Sequence, residues 1–172
     1  MKLKYAVLPA ALALLFSASS FAEDTGTIYF TGKINASTCK VNNGNKDSYI
    51  DMGTHDASVF QTIGTEIQGS EDVVLDLTDC TGNTANLALT ANDRNSPAEI
   101  NLKQTATTAK GLVIVLKDKV TNTNRRVDGF ITSQVITSGK AKFEYAPYLV
   151  STANVVDAGT IEASVDYTIT YN

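Results

Sequence analysis

Two cysteines, Cys39 and Cys80, and a single histidine, His55, are the side chains of this sequence best suited to chemistry, and their scarcity limits what chemistry is available. A zinc site needs three or four Cys, His or carboxylate ligands brought close together. One histidine and two cysteines 41 positions apart do not make such a set, so neither a metal nor any other cofactor is expected. His55 stands between Thr54 and Asp56, and a histidine–acid pair can be drawn there. No G-x-S-x-G elbow or other nucleophile signature goes with it, and it reads as a surface histidine. Asp72, Asp76 and Asp79 lie near one another without the spacing of a calcium loop. Asp72 and Asp76 share a strand face with Val74, a face that meets solvent or a neighbour. No catalytic residue is assigned, and the chain reads as a non-enzyme.

The first 22 residues settle the compartment. Lys2 and Lys4 precede an apolar run from Ala6 to Phe16, and Ser20-Phe21-Ala22 has the small residues that signal peptidase requires. Residues 1–22 are therefore expected to be a secretory signal peptide, its apolar run too short for a membrane span of about 20 residues. No membrane span is expected in the mature chain. Removal leaves 150 residues, the size of one domain, and takes the net charge from −4 to −6 because the leader holds two lysines and no acid. An acidic chain of this kind argues against nucleic acid as a partner, since phosphate binding calls for clustered Lys and Arg. The one adjacent basic pair, Arg125-Arg126, falls in a polar stretch and reads as a solvated loop. For two cysteines in an exported chain the default is a disulfide. Closing that loop is worth roughly 4 kcal/mol on the chain-entropy account. Asn35-Ala36-Ser37 also matches a glycosylation acceptor, a signal with a high chance rate and little meaning if the source is bacterial.

These residues must be positioned by β-structure. Thr, Val, Ile and Tyr recur in short runs separated by Asn, Gly, Asp and Ser, the pattern of an all-β sandwich or barrel. Strands are expected over 26–35, 38–41, 49–52, 71–78, 85–90, 111–117, 127–132, 140–150 and 160–171. Turn signals lie between them, including Asn92 to Pro97, and residues 57–69 are left as a loop or short helical turn. The two end strands alternate most cleanly. Gly26, Ile28, Phe30, Gly32 and Ile34 share one face near the start; Val165, Tyr167, Ile169 and Tyr171 share one at the end.

In order along the chain, these features resemble a family. Gly26-x-Ile28-x-Phe30-x-Gly32-x-Ile34 ahead of Cys39, then Ile50-Asp51-Met52-Gly53 and Val73-x-Leu75-x-Leu77-x-x-Cys80, are similar to segments of chaperone–usher fimbrial subunits, above all the type 1 major pilins. Gly159 followed by Val165-x-Tyr167-x-Ile169-x-Tyr171-Asn172 resembles the pilin C-terminus. The stretch Phe143 to Tyr148 follows the family pattern only loosely. Pro147 removes a backbone donor there, which predicts an edge strand or a broken one.

The resemblance implies an incomplete immunoglobulin-like β-sandwich lacking its last strand, with residues 23–35 as a donor-strand extension and 36–172 as the pilin domain. It implies polymerisation by donor-strand exchange, in which Gly26, Ile28, Phe30, Gly32 and Ile34 of one subunit fill the groove of another, a known form of β-strand addition. A periplasmic chaperone fills that groove first and an outer-membrane usher receives the subunit. Val165, Tyr167, Ile169, Tyr171 and the Asn172 carboxylate are then the groove edge that the chaperone contacts. The implied destination is a fimbria outside a Gram-negative cell, reached through the periplasm. Two plainer readings stand beside these: Val165 to Tyr171 as an ordinary core strand, and residues 26–34 folding back to complete their own domain. For the whole chain the alternatives are a minor or adaptor pilin and a secreted carbohydrate-binding sandwich; a tip adhesin needs a further domain, for which 150 residues leave no room.

Overall fold

The computed structural model of the protein describes residues 27–33, 36 and 38–172. The chain divides into two units, residues 1–34 and 35–172. In the first, residues 27–33 belong to no strand, although one is expected over 26–35. The alternation is present in the side chains, but a strand exists only where a second backbone pairs with it. Ile28 is 79 % exposed and Phe30 92 %. Gly26, Ile34 and Asn35, together with the leader, lie outside the described residues.

Among the described residues the second unit has ten strands: β1 (Lys40–Val41), β2 (Glu66–Gln68), β3 (Val73–Thr78), β4 (Thr84–Thr90), β5 (Arg94–Ser96), β6 (Glu99–Asn101), β7 (Leu112–Asp118), β8 (Asp128–Val135), β9 (Ala141–Ser151) and β10 (Asp166–Tyr171). One antiparallel sheet runs β1-β3-β9-β7-β6-β5, with β2 pairing the far half of β9; the other has three strands in the order β10-β4-β8. The sheets pack face to face. Leu75 and Leu77 of β3, Ile114 and Leu116 of β7, and Phe143, Tyr145 and Leu149 of β9 meet Ala85, Leu87 and Leu89 of β4 in one buried cluster. This is the expected all-β sandwich. Cys39 and Cys80 are joined in a disulfide that ties β1 to the turn after β3.

Several local expectations need correction. Residues 49–52 form no strand: Asp51 instead folds its side chain back to accept from the Gly53 N–H at 2.8 Å, a turn that Gly53 permits with φ of +79°. Residues 94–96, read as part of a turn, pair with residues 99–101 as a short hairpin. The 57–69 stretch holds a 3-10 turn at Ala57–Val59, capped by Asp56 accepting from the Ser58 N–H at 2.9 Å, and then β2.

Pro147 does not make β9 an edge. β9 runs eleven residues unbroken between β7 on one side and β2 and β3 on the other. The break falls on the partner instead. Gln68 pairs with Tyr148 and Val73 with Tyr145, so the four residues Gly69 to Asp72 face only Ala146 and Pro147. The Pro147 carbonyl accepts from the Gly69 N–H at 2.9 Å, so the missing proline donor points at this bulge, where no ladder bond is lost.

Arg125 is likewise not a solvated loop residue. It is 6 % exposed, and its Nη2 donates to the Leu87 carbonyl at 2.9 Å and the Phe130 carbonyl at 2.7 Å. These carbonyls flank the register shift between β4 and β8, where the guanidinium satisfies backbone acceptors. Arg126 behaves as expected: it is exposed and pairs with Asp128.

Candidate functional site

β10 forms because β-branched and aromatic residues alternate with polar ones, and its register against β4 fixes where each face points. Tyr167, Ile169 and Tyr171 stand opposite Leu89, Leu87 and Ala85, so they lie on the core face of the sheet. Their neighbours on β4 are 0 to 3 % exposed, yet all three, and Val165 before them, are only half-buried. The reason is positional. Among the described residues, β10 pairs β4 on one side and no strand on the other.

The backbone repeats the point. Asn172 and Thr84 exchange both hydrogen bonds, at 3.0 and 3.1 Å. Stepping back by two, Thr170, Thr168 and Asp166 aim their N–H and C=O at β4. Tyr167, Ile169 and Tyr171 aim theirs outward along an open edge. The residues with unfinished side-chain burial are thus the ones with unpaired backbone groups.

Across from this edge lies a wall that the sequence pattern did not mark. It begins with the half-buried Cys39 and Val41, runs through Met52, and closes on β10 where the Tyr167 hydroxyl donates to the Lys46 carbonyl at 2.6 Å. The Glu71 N–H donates to the Asp51 carbonyl at 3.2 Å, which seats residues 51–53 against the margin of the larger sheet. Burial pushes the phenol pKa of both Tyr167 and Tyr171 upward, so each stays a neutral hydroxyl.

Beyond the start of β10 the two walls enclose a small cavity of about 120 Å³, lined by His55, Phe60, Leu112, Leu149, Val156 and Ile161 among others. His55 is therefore a wall residue: half-buried, its Nε2 lies 2.7 Å from the Met52 carbonyl and donates to it. Its lone polar neighbourhood in the sequence hid this, because the apolar partners come from residues 60, 112, 149 and 161. Asp72 and Asp76 sit on the opposite, solvent-facing side of β3, where Asp72 pairs with Lys119. Among the described residues no cluster of three or more His, Cys, Asp or Glu is placed to hold a metal ion. No helix there is long and apolar enough to cross a membrane.

The structure therefore brings Val165, Tyr167, Ile169, Tyr171 and Asn172 together with Cys39 and Cys80 around one apolar cleft with an open hydrogen-bonding edge. An open edge beside apolar side chains has the chemistry that strand addition requires: apolar pockets for alternate side chains and main-chain groups along the strand.

The family model described as "Fimbrial protein" matches residues 28–172. The chain is 27 % identical over 180 residues to a type-1 fimbrial protein subunit of Serratia marcescens, covering 98 % of this chain and 99 % of that one. It is 29 % identical over 167 residues to the probable major fimbrial subunit LpfA of Escherichia coli O157:H7, covering 94 % and 92 %. Among solved structures, a chaperone–usher pilus subunit described in terms of rod uncoiling is similar at TM-score 0.64 and 20 % identity, covering 90 % of this chain and 100 % of that one. The P pilus rod subunit PapA is similar at TM-score 0.63 and 20 % identity, covering 78 % and 99 %. These likenesses show the fold.

Proposed function

Because this chain belongs to the fimbrial protein family and is a structural pilin subunit, we propose that it polymerises by giving residues 23–35 to the groove beside β10 of the next subunit. The observation that supports this most is the coincidence, on Tyr167, Ile169 and Tyr171, of half-finished burial and an unpaired backbone edge. Ile28, Phe30 and Ile34 supply the alternating apolar side chains. Burying each stabilises the joint by roughly 1.5–3 kcal/mol gross, and each restored main-chain bond adds about 0.5–1.5 kcal/mol net. Gly26 and Gly32 share that face. Among the described residues, no heavy atom other than those of Gly32 and its two chain neighbours lies within 4 Å of the position a Gly32 Cβ would take, so any demand for glycine there comes from the acceptor.

On this reading residues 1–22 are removed during export, residues 36–172 fold as the pilin domain, and a periplasmic chaperone covers β10 before an outer-membrane usher passes the subunit on. Asn172 and Tyr171 serve the chaperone. The product is an extracellular fimbria of a Gram-negative bacterium, the class of organelle to which the relatives belong. Likeness to a probable major subunit over 94 % of the chain favours a shaft role over an adaptor one. Deleting residues 23–35 should leave chaperone binding intact and abolish fibres seen by electron microscopy. Fibres from the truncated protein would overturn the reading.

A further inference from the structure

The turn that follows β1 holds two adjacent asparagines in unlike states. Asn42, Asn43 and Gly44 all have positive φ, at +44°, +56° and +96°, and Asn43 breaks the 3-10 geometry of the turn it sits in. Asparagine and glycine enter this left-handed region more readily than other residues. The Asn42 carboxamide is pinned at both atoms: its Oδ1 accepts from the Asp76 N–H at 2.9 Å, and its Nδ2 donates to Ser48 Oγ at 3.2 Å. Asn43 is exposed, and among the described residues no hydrogen bond holds its side chain.

Gly44 comes next, and its amide is free as well. Among the described residues the Gly44 N–H donates to no protein oxygen, whereas the Val59 N–H, at the same place in the Ala57–Val59 turn, donates to the Asp56 carbonyl at 3.1 Å. No described heavy atom beyond the turn itself lies within 4 Å of the position a Gly44 Cβ would take. An unbonded carboxamide is therefore followed by an unbonded amide nitrogen, with no side chain to obstruct their approach. This is the only Asn-Gly pair in the chain.

We propose that Asn43 is a self-modifying site. The Gly44 nitrogen attacks Asn43 Cγ, the Cγ–Nδ2 bond breaks, and ammonia leaves with the amide proton, closing a succinimide. Water opens the ring at either carbonyl, giving aspartate or, where the chain now runs through the side-chain carbon, isoaspartate. The isoaspartate matters because of where it falls. It adds one methylene to the backbone between two anchors of one segment: Asn42, bonded to Asp76 of β3, and Lys46, whose carbonyl accepts from the Tyr167 hydroxyl of β10 at 2.6 Å. The segment is a strap from β3 to β10, and ageing at Asn43 slackens it. The chemistry does not depend on the donor-strand reading.

The test holds the purified protein, folded or in urea, at mildly alkaline pH and maps its peptides by mass spectrometry, with isoaspartate detected by enzymatic methylation. Asn43 in the folded protein should convert at least tenfold faster than any other asparagine and within fivefold of its own rate in urea. Greater protection by the fold, or earlier conversion of another asparagine, overturns the proposal. Asn43→Gln, one methylene too long for the five-membered ring, should accumulate no isoaspartate there. The separated isoaspartate form should exchange the Asp76 amide at least tenfold faster than the unmodified protein, while Asn43→Asp, which adds the charge without the methylene, should stay within twofold. Unchanged Asp76 exchange in the isoaspartate form overturns the slackened strap.

Discussion

β4 and β10 lie side by side in one sheet, carry the same alternation, and face the same core, yet they end in different states. The inward residues of β4 are sealed; those of β10 are half-covered. Side-chain chemistry does not separate them, since Leu87 and Ile169 are of equal size and stand opposite one another. The number of strands beside each does. Among the described residues, β4 has β10 and β8 as neighbours, while β10 has β4 alone. An alternating pattern therefore states which face is apolar and leaves open whether the same molecule covers it.

The comparison can be broken at five points. Leu87→Ala empties a fully buried position and should cost about 2–5 kcal/mol in urea unfolding, with or without a bound donor peptide. Arg125→Met strands the Leu87 and Phe130 carbonyls and should cost roughly 2–3 kcal/mol by the same assay, again independent of the peptide. Ile169→Ala should behave differently: a loss under about 1.5 kcal/mol in the uncomplemented protein, rising toward the Leu87 value once the 23–35 peptide is bound. Equal losses in both states would place Ile169 outside the groove. Gly32→Leu should leave the unfolding midpoint unchanged, because nothing lies within 4 Å of it, and slow donor exchange at least tenfold. Phe30→Arg should slow exchange similarly by bringing a charge to an apolar site.

Much of the sandwich is legible along the chain, because the longer strands carry period-two patterns that survive tertiary context. β4 and β10 are read directly from Ala85-x-Leu87-x-Leu89 and Val165-x-Tyr167-x-Ile169-x-Tyr171. β2, β5 and β6 are missed because three residues show no period, and pairing alone defines them. Pro147 misleads for a related reason: a lost donor predicts an edge only if a partner backbone faces it, and here a bulge does. Arg125 looks solvated beside Arg126 because nothing local reveals that two distant carbonyls need a donor. Of the groove, the β10 wall is visible in the sequence. The wall made by Val41, Met52, His55 and Phe60 is not, since it is irregular and assembled by contacts across the fold.

The most direct test of the central claim is amide hydrogen exchange along β10. In the uncomplemented protein the Tyr167, Ile169 and Tyr171 amides should exchange quickly while those of Thr168 and Thr170, bonded to β4, are protected. Adding the 23–35 peptide should protect the first three by at least a hundredfold, and the same peptide with Phe30→Arg should not at equal concentration. Protection of Tyr167, Ile169 and Tyr171 before the peptide is added, or no change after it, would contradict the account.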